Sequence, residues 1–168
     1  MKIMKEQKVQ KQNIGNAGEY YIASRLSAEN FIATLTLGRT EKYDILALSP
    51  KGRAIRLSVK TAYKETATAF PLSAKDEDGA SNDFYYAFVR LNRFNKEPDF
   101  WIIPSKVITP IIKRSQKIWM KTPGRKGQQH KETAMRQLPV IVPNTWHKFY
   151  PNWAGKVERY YKNLKQLQ

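Results

Sequence analysis

An aspartate and a lysine lie on two neighbouring segments whose apolar residues alternate as they do in paired β-strands. Residues 43–60 read Y-D-I-L-A-L-S-P-K-G-R-A-I-R-L-S-V-K, with turn-forming residues at 49–52. A hairpin centred near Gly52 would place Asp44 opposite Lys60. A carboxylate is a hard ligand for magnesium or manganese, and an ammonium group can hold a phosphate or orient a water. The pair therefore predicts a divalent cation beside a phosphate, although the spacing alone favours an ordinary cross-strand ion pair.

The second strand of this hairpin is predicted to have one apolar and one polar face. Alternate residues of a strand point to opposite faces, so three apolar and three polar residues separate cleanly. The apolar face comprises Ile55, Leu57 and Val59, and the polar face comprises Arg56, Ser58 and Lys60.

A helix is predicted before the hairpin, from a cap at Asn13 or Asn16 to about Asn30. Glu19 lies at the margin of its apolar stripe. A carboxylate at the edge of a core is costly unless a cation or a hydrogen-bond donor compensates it, which favours a metal or a lysine as partner. The residues alone equally fit an exposed glutamate. The stripe comprises Ile14, Ala17, Tyr21, Ile22 and Leu26.

The order of these segments resembles the PD-(D/E)XK nuclease superfamily. Asp44, thirteen intervening residues and then Ser58-Val59-Lys60 is similar to its core, in which an acid on one strand is followed by acid-x-Lys on the next. The motif G-N-A-G-E-Y-Y around Glu19 resembles the preceding helix of the Holliday-junction-resolvase-like branch, where a helix glutamate joins the metal site. The resemblance continues through F-Y-Y-A-F-V-R-L, P-D-F-W-I-I-P-S and P-G-R-K-G-Q-Q-H-K-E-T-A-M-R, and so covers most of the chain.

This resemblance implies a restriction-endonuclease-like α/β fold, in which a helix is followed by a mixed β-sheet with flanking helices. It also implies a nuclease that uses Mg²⁺ or Mn²⁺ to cut DNA. Asp44 would bind the metal, Glu19 would assist it, and the backbone carbonyl of Val59 would complete the coordination. Lys60 would stabilise developing negative charge or position a water. Ser58 stands where the family has Glu, Asp or sometimes Gln, and this neutral, weak ligand would act only through its hydroxyl or a water.

The serine leaves alternatives open. One is a degenerate relative that binds nucleic acid without cutting it. Another is a structural or interaction protein with no nucleic-acid role.

The remaining segments predict further elements of the same α/β domain. Runs rich in aromatic and β-branched residues predict strands, and Pro, Gly and clustered acids predict loops. Glu41 is expected in a loop, as are the acids Asp76, Glu77, Asp78 and Asp83. The predicted strands cover residues 31–37, 84–91 and 100–103, and a mobile crossing loop is predicted over residues 61–83. One helix is predicted to start with Ser105 as its cap and to contain Pro110, and a last helix is predicted over residues 152–167.

Positive charge is concentrated in the last part of the chain. The net charge is +16, and residues 105–168 carry 14 Lys and Arg residues against 2 acids. Such a field attracts polyanions, of which nucleic acid is the commonest in a cell, although a basic surface or an anionic membrane is an alternative. The residues predicted to contact DNA phosphates are Lys113, Arg114, Lys117, Lys121, Arg125, Lys126, Lys131 and Arg136.

Glycines and large aromatic residues are interleaved with this charge. Gly124 and Gly127 are expected to make the basic segment flexible and to expose its backbone amides. The aromatic residues are expected mainly to pack the last helices onto the sheet, with stacking on unpaired bases as the alternative. His130 and His147 have no metal-ligand spacing and are given no role. The aromatic residues are Trp119, Trp146, Tyr150 and Trp153.

Composition favours one soluble domain over residues 1–168. A chain of 168 residues with 41% hydrophobic residues can build one core and is too short for two ordinary ones. With no cysteine there is no disulfide framework, and with no long apolar run there is no predicted membrane span. These features favour the cytoplasm, and a homodimer is compatible with them.

Overall fold

A five-stranded mixed β-sheet forms the centre of the computed structural model, which describes residues 9–36 and 43–168. The spatial order of its strands is β1-β2-β3-β5-β6, and β4 pairs with β7 in a separate two-stranded sheet. In chain order the elements are α1 (Lys11–Ala28), β1 (Ile32–Leu35), β2 (Ile45–Leu48), β3 (Ala54–Ala62), β4 (Ala69–Ser73), β5 (Phe84–Arg90), β6 (Asp99–Pro104), α2 (Ser105–Lys121), β7 (Met135–Pro139) and α3 (Ala154–Val157).

Three of the four strand pairings in the main sheet are antiparallel, and the remaining one is parallel. β1 pairs with β2, β2 with β3, and β5 with β6, all antiparallel, whereas β3 and β5 run parallel. The predicted α/β class, with a helix followed by a mixed sheet and flanking helices, is confirmed. The predicted turn is also present, because Gly52 has a φ of +81° and its N–H donates to the carbonyl of Ser49 at 2.8 Å.

The main sheet has a buried core on each side. On one side, Ile22 and Leu26 of α1 pack against the apolar face of β3, which includes Leu57. On the other side, Phe88 of β5 packs against α2 and β4. The strand residues alternate between these two cores, which is why both the predicted apolar face of β3 and the predicted strands at 84–91 and 100–103 are found.

The ends of the two long helices differ from prediction. Helix α1 starts at Lys11, with Gln10 as its N-cap, so neither Asn13 nor Asn16 caps it. Helix α2 starts at Ser105 itself, and the N-cap is Pro104. The Ser105 hydroxyl instead accepts a hydrogen bond from the N–H of Ser81 at 2.9 Å. None of the described helices is long and apolar enough to cross a membrane.

The predicted crossing loop contains a strand. Residues 69–73 form β4, and Phe70 and Leu72 point into the core. The intervening Pro71 and the surrounding turn-forming residues hide this alternation, and the partner strand β7 lies far along the chain. Of the predicted first strand, β1 covers Ile32–Leu35, while Leu37 and the loop residue Glu41 lie outside the described residues.

The predicted last helix is instead a series of short turns. Helix α3 ends at Val157, which packs in the core between the main sheet and α2. Leu164 and Leu167 instead pack in the core between the main sheet and α1. One straight helix cannot reach both sides of a sheet, so the chain crosses its edge. Here Tyr161 forms a bridge with Trp101 of β6, and the N–H of Lys162 donates to a β6 carbonyl at 2.8 Å.

Candidate active site

The candidate site lies where β3 extends beyond the end of β2. Strand β2 begins at Ile45, which pairs with Leu57, whereas β3 continues to Ala62. The N–H of Asp44 also donates to the carbonyl of Leu57, at 2.8 Å. Two successive residues thus face one residue of β3, which is the arrangement of a β-bulge, and bulges re-aim side chains next to functional sites.

The bulge turns the Asp44 side chain onto the edge of β3. Its Oδ2 accepts a hydrogen bond of 2.6 Å from the backbone N–H of Val59. The carboxylate therefore takes the place that the backbone of a longer β2 would occupy. Because the N–H and C=O of one strand residue project to the same side, the Val59 carbonyl also points toward this edge.

The predicted cross-strand pair is displaced by two residues. The register that pairs Ile45 with Leu57 puts Asp44 beside residues 57–59 rather than opposite Lys60. The prediction centred the hairpin near Gly52, whereas the four pairs between β2 and β3 centre it on Lys51. Moving the centre by one residue moves every partner by two.

Ser58 and Lys60 lie on the face of β3 turned toward α2. They pair in register with Tyr86 and Phe88, whose side chains belong to the core on that side. Ser58 is 7% exposed, whereas Lys60 is half-buried. The Lys60 side chain is therefore partly accessible to solvent, whereas the Ser58 side chain is buried.

Helix α1 brings Glu19 to the same region from the opposite side of the sheet. The preceding residue, Gly18, is buried against Thr61 of β3, and a Cβ on Gly18 would overlap the Thr61 hydroxyl and lie 2.8 Å from its Cγ2. The helix backbone at Gly18 therefore packs directly against the Thr61 side chain. The Thr61 hydroxyl is buried and has no hydrogen-bond partner in the described part of the chain.

The two carboxylates influence each other electrostatically. Burial raises the pKa of Glu19 above its ordinary value, and the nearby charge of Asp44 raises this pKa further. Among the described residues neither acid forms an ion pair with a basic side chain. Two neighbouring acids of this kind repel one another unless a proton or a cation intervenes.

The donor set fits a hard divalent cation. The two carboxylates and the Val59 carbonyl are oxygen ligands, which Mg²⁺ and Mn²⁺ prefer, and Mg²⁺ keeps several waters and needs few protein ligands. The described residues contain no group of three or more His, Asp or Glu side chains arranged to hold a metal. Glu19 and Asp44 are thus the acids on which a site here would depend.

Most of the predicted DNA-binding residues are exposed, and two have acidic partners. Lys113 forms an exposed ion pair with Asp78 at 3.0 Å. Arg136 is buried, and its guanidinium is held by Glu77 and Glu132. We therefore leave Arg136 out of the proposed basic surface. The exposed members are Lys113, Arg114, Lys117, Lys121, Arg125, Lys126 and Lys131.

The glycines of the basic segment close a turn. The N–H of Gly124 donates to the carbonyl of Gln128, and the N–H of Gly127, which has a φ of +77°, donates to the carbonyl of Gly124, both at 2.9 Å. The prediction that these amides are exposed is therefore wrong, because both N–H groups donate hydrogen bonds to carbonyls of the same loop.

The clustered acids after β4 hold the structure together. Asp76 accepts hydrogen bonds from Ser73 and Tyr86, and Asp83 binds Arg56 through both carboxylate oxygens. Hydrogen bonds from Arg56, followed by one from Ser81, hold the pKa of Asp83 at about 2. These acids therefore have specific protein partners, which the prediction of a loop did not include.

The predicted aromatic packing holds for some residues only. Trp153 and Tyr150 are buried, whereas Trp119 and Trp146 are half-buried and line an open cleft. Two other residues that line the cleft, Lys148 and His130, were not predicted to form a site. The run W-H-K-F-Y at residues 146–150 is the signal in the sequence that could have found it.

No protein-family model and no curated protein matches this chain. Among solved structures, the chain is similar to Hjc, a Holliday junction resolvase from Archaeoglobus fulgidus, with 13% identity and a TM-score of 0.46 over 82% of this chain and 87% of that one. It is also similar to a bacterial homing endonuclease, with 11% identity and a TM-score of 0.47 over 91% of this chain and 95% of that one.

Proposed function

We propose that the protein is a metal-dependent endonuclease that hydrolyses phosphodiester bonds in DNA. The observation that carries this proposal is the Asp44 carboxylate, fixed at the open edge of β3 by the Val59 N–H and electrostatically coupled to Glu19. An acid fixed by a backbone donor beside a second acid is arranged to bind a cation.

Each residue has a distinct task in this proposal. Asp44 and Glu19 hold Mg²⁺ or Mn²⁺, together with the Val59 carbonyl. When bound, the metal supplies Lewis-acid chemistry and lowers the pKa of a water. The Val59 N–H fixes the orientation of the Asp44 carboxylate, and the Lys60 ammonium stabilises negative charge on the phosphate. Ser58 contributes only through its hydroxyl or a water.

The exposed cations of the C-terminal part supply affinity for the DNA backbone. Lysine and arginine release condensed counterions when they meet phosphates, so the affinity for duplex DNA is expected to fall steeply with salt. Charge reversal at Arg125, Lys126 and Lys131 is expected to weaken binding. A salt-independent affinity, or no binding at low salt, contradicts a nucleic-acid role and favours a structural or interaction protein.

Cleavage of supercoiled and branched DNA tests the activity. We expect slow nicking that is stronger with Mn²⁺ than with Mg²⁺ and is abolished by Asp44→Ala or Lys60→Ala. Glu29→Ala is the matched control, because it removes an exposed acid near the other end of α1 and should leave the rate unchanged. If Asp44→Ala cuts as fast as the wild type, the observed activity comes from a contaminant and the proposed site is wrong.

A second function, DNA binding without cleavage, is favoured by Ser58. This neutral side chain is 7% exposed and stands where an acid would strengthen metal binding. Ser58→Glu, with its fold checked by circular dichroism, is expected to increase nicking if the missing ligand limits the rate. If the wild type and Ser58→Glu are both inert with every metal and DNA structure tested while binding persists, the binding function should be adopted.

A further inference from the structure

An open cleft of about 600 Å³ lies beside the C-terminal end of α2. Four segments line it: the end of α2, the loop around residues 122–133, the start of β7, and residues 145–150. Its volume falls within the range of about 300–1,000 Å³ that is usual for small-molecule pockets. The cleft therefore has room for a compact planar group.

Aromatic rings form two walls of the cleft. The rings of Trp119 and His130 stack with centroids 3.9 Å apart and planes 20° apart, and those of Trp146 and Tyr150 lie 6.1 Å and 22° apart. Trp153, by contrast, is buried, and its indole N–H donates to the carbonyl of Pro139 at 2.7 Å. Trp153 belongs to the core, whereas Trp119 and Trp146 present ring surface to the cleft.

The rim of the cleft is positively charged, and its buried arginine is neutralised. Arg125 and Lys148 line the cleft and are exposed, and the Lys148 ammonium lies 4.8 Å from the centroid of the Phe149 ring. Arg136 also lines the cleft, but its charge is compensated by Glu77 and Glu132. Flat apolar walls with a cationic rim complement a nucleobase that is attached to a phosphate.

Only a base that is not in a duplex can use such walls. Paired bases are stacked on their neighbours inside the duplex, and unstacking them costs a few kcal/mol, so an unpaired base enters most easily. The cleft adjoins the core on the α2 side of the main sheet, which is the side toward which Lys60 points. A strand that reaches the cleft would thus lie on the side of the sheet that carries the proposed catalytic lysine.

We propose that this cleft binds one unpaired nucleobase of a DNA strand, which stacks against the Trp119–His130 pair and Trp146. Arg125 and Lys148 bind the adjoining phosphates. The inference rests on the proposed function only in taking DNA as the partner, and it extends that function by assigning DNA with an unpaired segment as the substrate class.

Binding of short strands with and without bases tests this directly. Fluorescence anisotropy in buffer with EDTA would compare a labelled oligothymidylate with an abasic strand of equal length and charge. Stacking is worth about 1–3 kcal/mol per base, so the wild type should bind the oligothymidylate at least about fivefold more tightly. Trp119→Ala and Trp146→Ala should lose this preference and leave the affinity for the abasic strand unchanged.

Two further variants control for folding and for non-specific loss of an aromatic residue. Trp119→Phe keeps a stacking ring and should retain part of the preference, provided that its thermal unfolding matches that of Trp119→Ala. Phe94→Ala removes an exposed ring away from the cleft and should change nothing. Equal affinity of the wild type for both strands overturns the inference, and so does an equal loss for both strands in Trp119→Ala.

The outcome is independent of catalysis. No cleavage occurs without a divalent metal, so the preference for bases is measured whether or not the protein is a nuclease. Asp44→Ala should keep the preference. A wild-type protein that cuts DNA but shows no preference for the strand with bases contradicts only the cleft. A wild-type protein that shows this preference but does not cut DNA contradicts only the catalytic site.

Discussion

The two sides of the main sheet treat their acidic residues differently. On the side covered by α2 and the β4–β7 sheet, two acids form ion pairs with basic side chains: Glu77 with Arg136, and Asp78 with Lys113. At the edge of β3, the charge of Asp44 influences Glu19, and neither acid has a basic partner among the described residues. An acid that is paired with a base is already neutralised within the protein, whereas neighbouring acids without a basic partner are available to a ligand.

The means of positioning also differ. The α2 side is joined by ion pairs between segments far apart in the chain, such as Arg136 and Glu77, which are 59 residues apart. Around the candidate site, backbone atoms contact side chains directly: the Gly18 backbone packs on the Thr61 side chain, and the Val59 N–H donates to the Asp44 carboxylate. Backbone contacts leave little freedom of position, which suits a site that must hold two carboxylates at one place.

The largest expected effect is on the ion-paired side. Arg136→Ala should reduce the free energy of unfolding by about 3–5 kcal/mol, because it leaves the carboxylate of Glu77, whose side chain is only 15% exposed, without its partner. Urea unfolding followed by circular dichroism would measure this loss.

A double variant provides the control for Arg136. Replacing both Arg136 and Glu77 by methionine removes both charges, and replacing a buried pair by apolar residues is often neutral. The double variant should therefore be more stable than Arg136→Ala. Equal stabilities of the two proteins would show that the ion pair does not organise this side.

A smaller effect is expected where α1 approaches β3. Gly18→Ala should cost about 1–3 kcal/mol of unfolding free energy, because its Cβ overlaps Thr61 and the helix must move away. Gly15→Ala is the matched control in the same helix: its Cβ meets no atom within 4 Å, and alanine should stabilise the helix by up to about 1 kcal/mol.

The displaced helix should also carry Glu19 away from Asp44. Nicking and the affinity for Mn²⁺ should therefore fall in Gly18→Ala and remain unchanged in Gly15→Ala. If both variants lower activity equally, close packing at Gly18 is not what positions the glutamate.

The smallest expected effect is a change in the titration of Glu19. Asp44→Asn should lower the pKa of Glu19 while leaving it above its ordinary value, because burial is the larger cause of the raised pKa and remains. An NMR titration of the side-chain carboxyl would follow this change. Glu97 serves as control, because its lowered pKa comes from a hydrogen bond with Lys162 and should not move.

The same raised pKa has a consequence for stability. A carboxyl that holds its proton more tightly in the folded than in the unfolded protein favours folding at low pH. This contribution is lost as the pH rises from the unfolded value of about 4.5 through the raised folded value. The loss should be smaller in Asp44→Asn, and an unchanged slope would mean that the two acids are not coupled.

Local alternation predicted the parts of the fold that depend on neighbouring residues. The two faces of β3 and the strands β5 and β6 follow from the period of two in their own segments. Strand β4 could not be predicted in this way, because Pro71 interrupts the pattern and the pairing with β7 defines the strand. The last helix failed because its apolar residues serve two different cores.

The candidate site was predictable in composition and less so in detail. The motif indicated Asp44, Glu19 and Lys60, but the hairpin is centred one residue earlier than predicted, and Asp44 lies in a bulge. No local sequence pattern indicates either feature. Arg136 was predicted to belong to the basic surface because it lies in a basic segment, yet it forms ion pairs with Glu77 and Glu132. Positions that depend on contacts remote in sequence need the structure.

The path of the C-terminal segment across β6 determines how the sheet can meet other chains. A strand at the border of a sheet offers unpaired backbone groups that invite further strands and aggregation. At the β6 border, Tyr161, Lys162 and the Gln166 side chain already engage that strand. Growth of the sheet by strand addition is therefore blocked on this side, and in the described part of the chain the opposite border, β1, is the one that an incoming strand could extend.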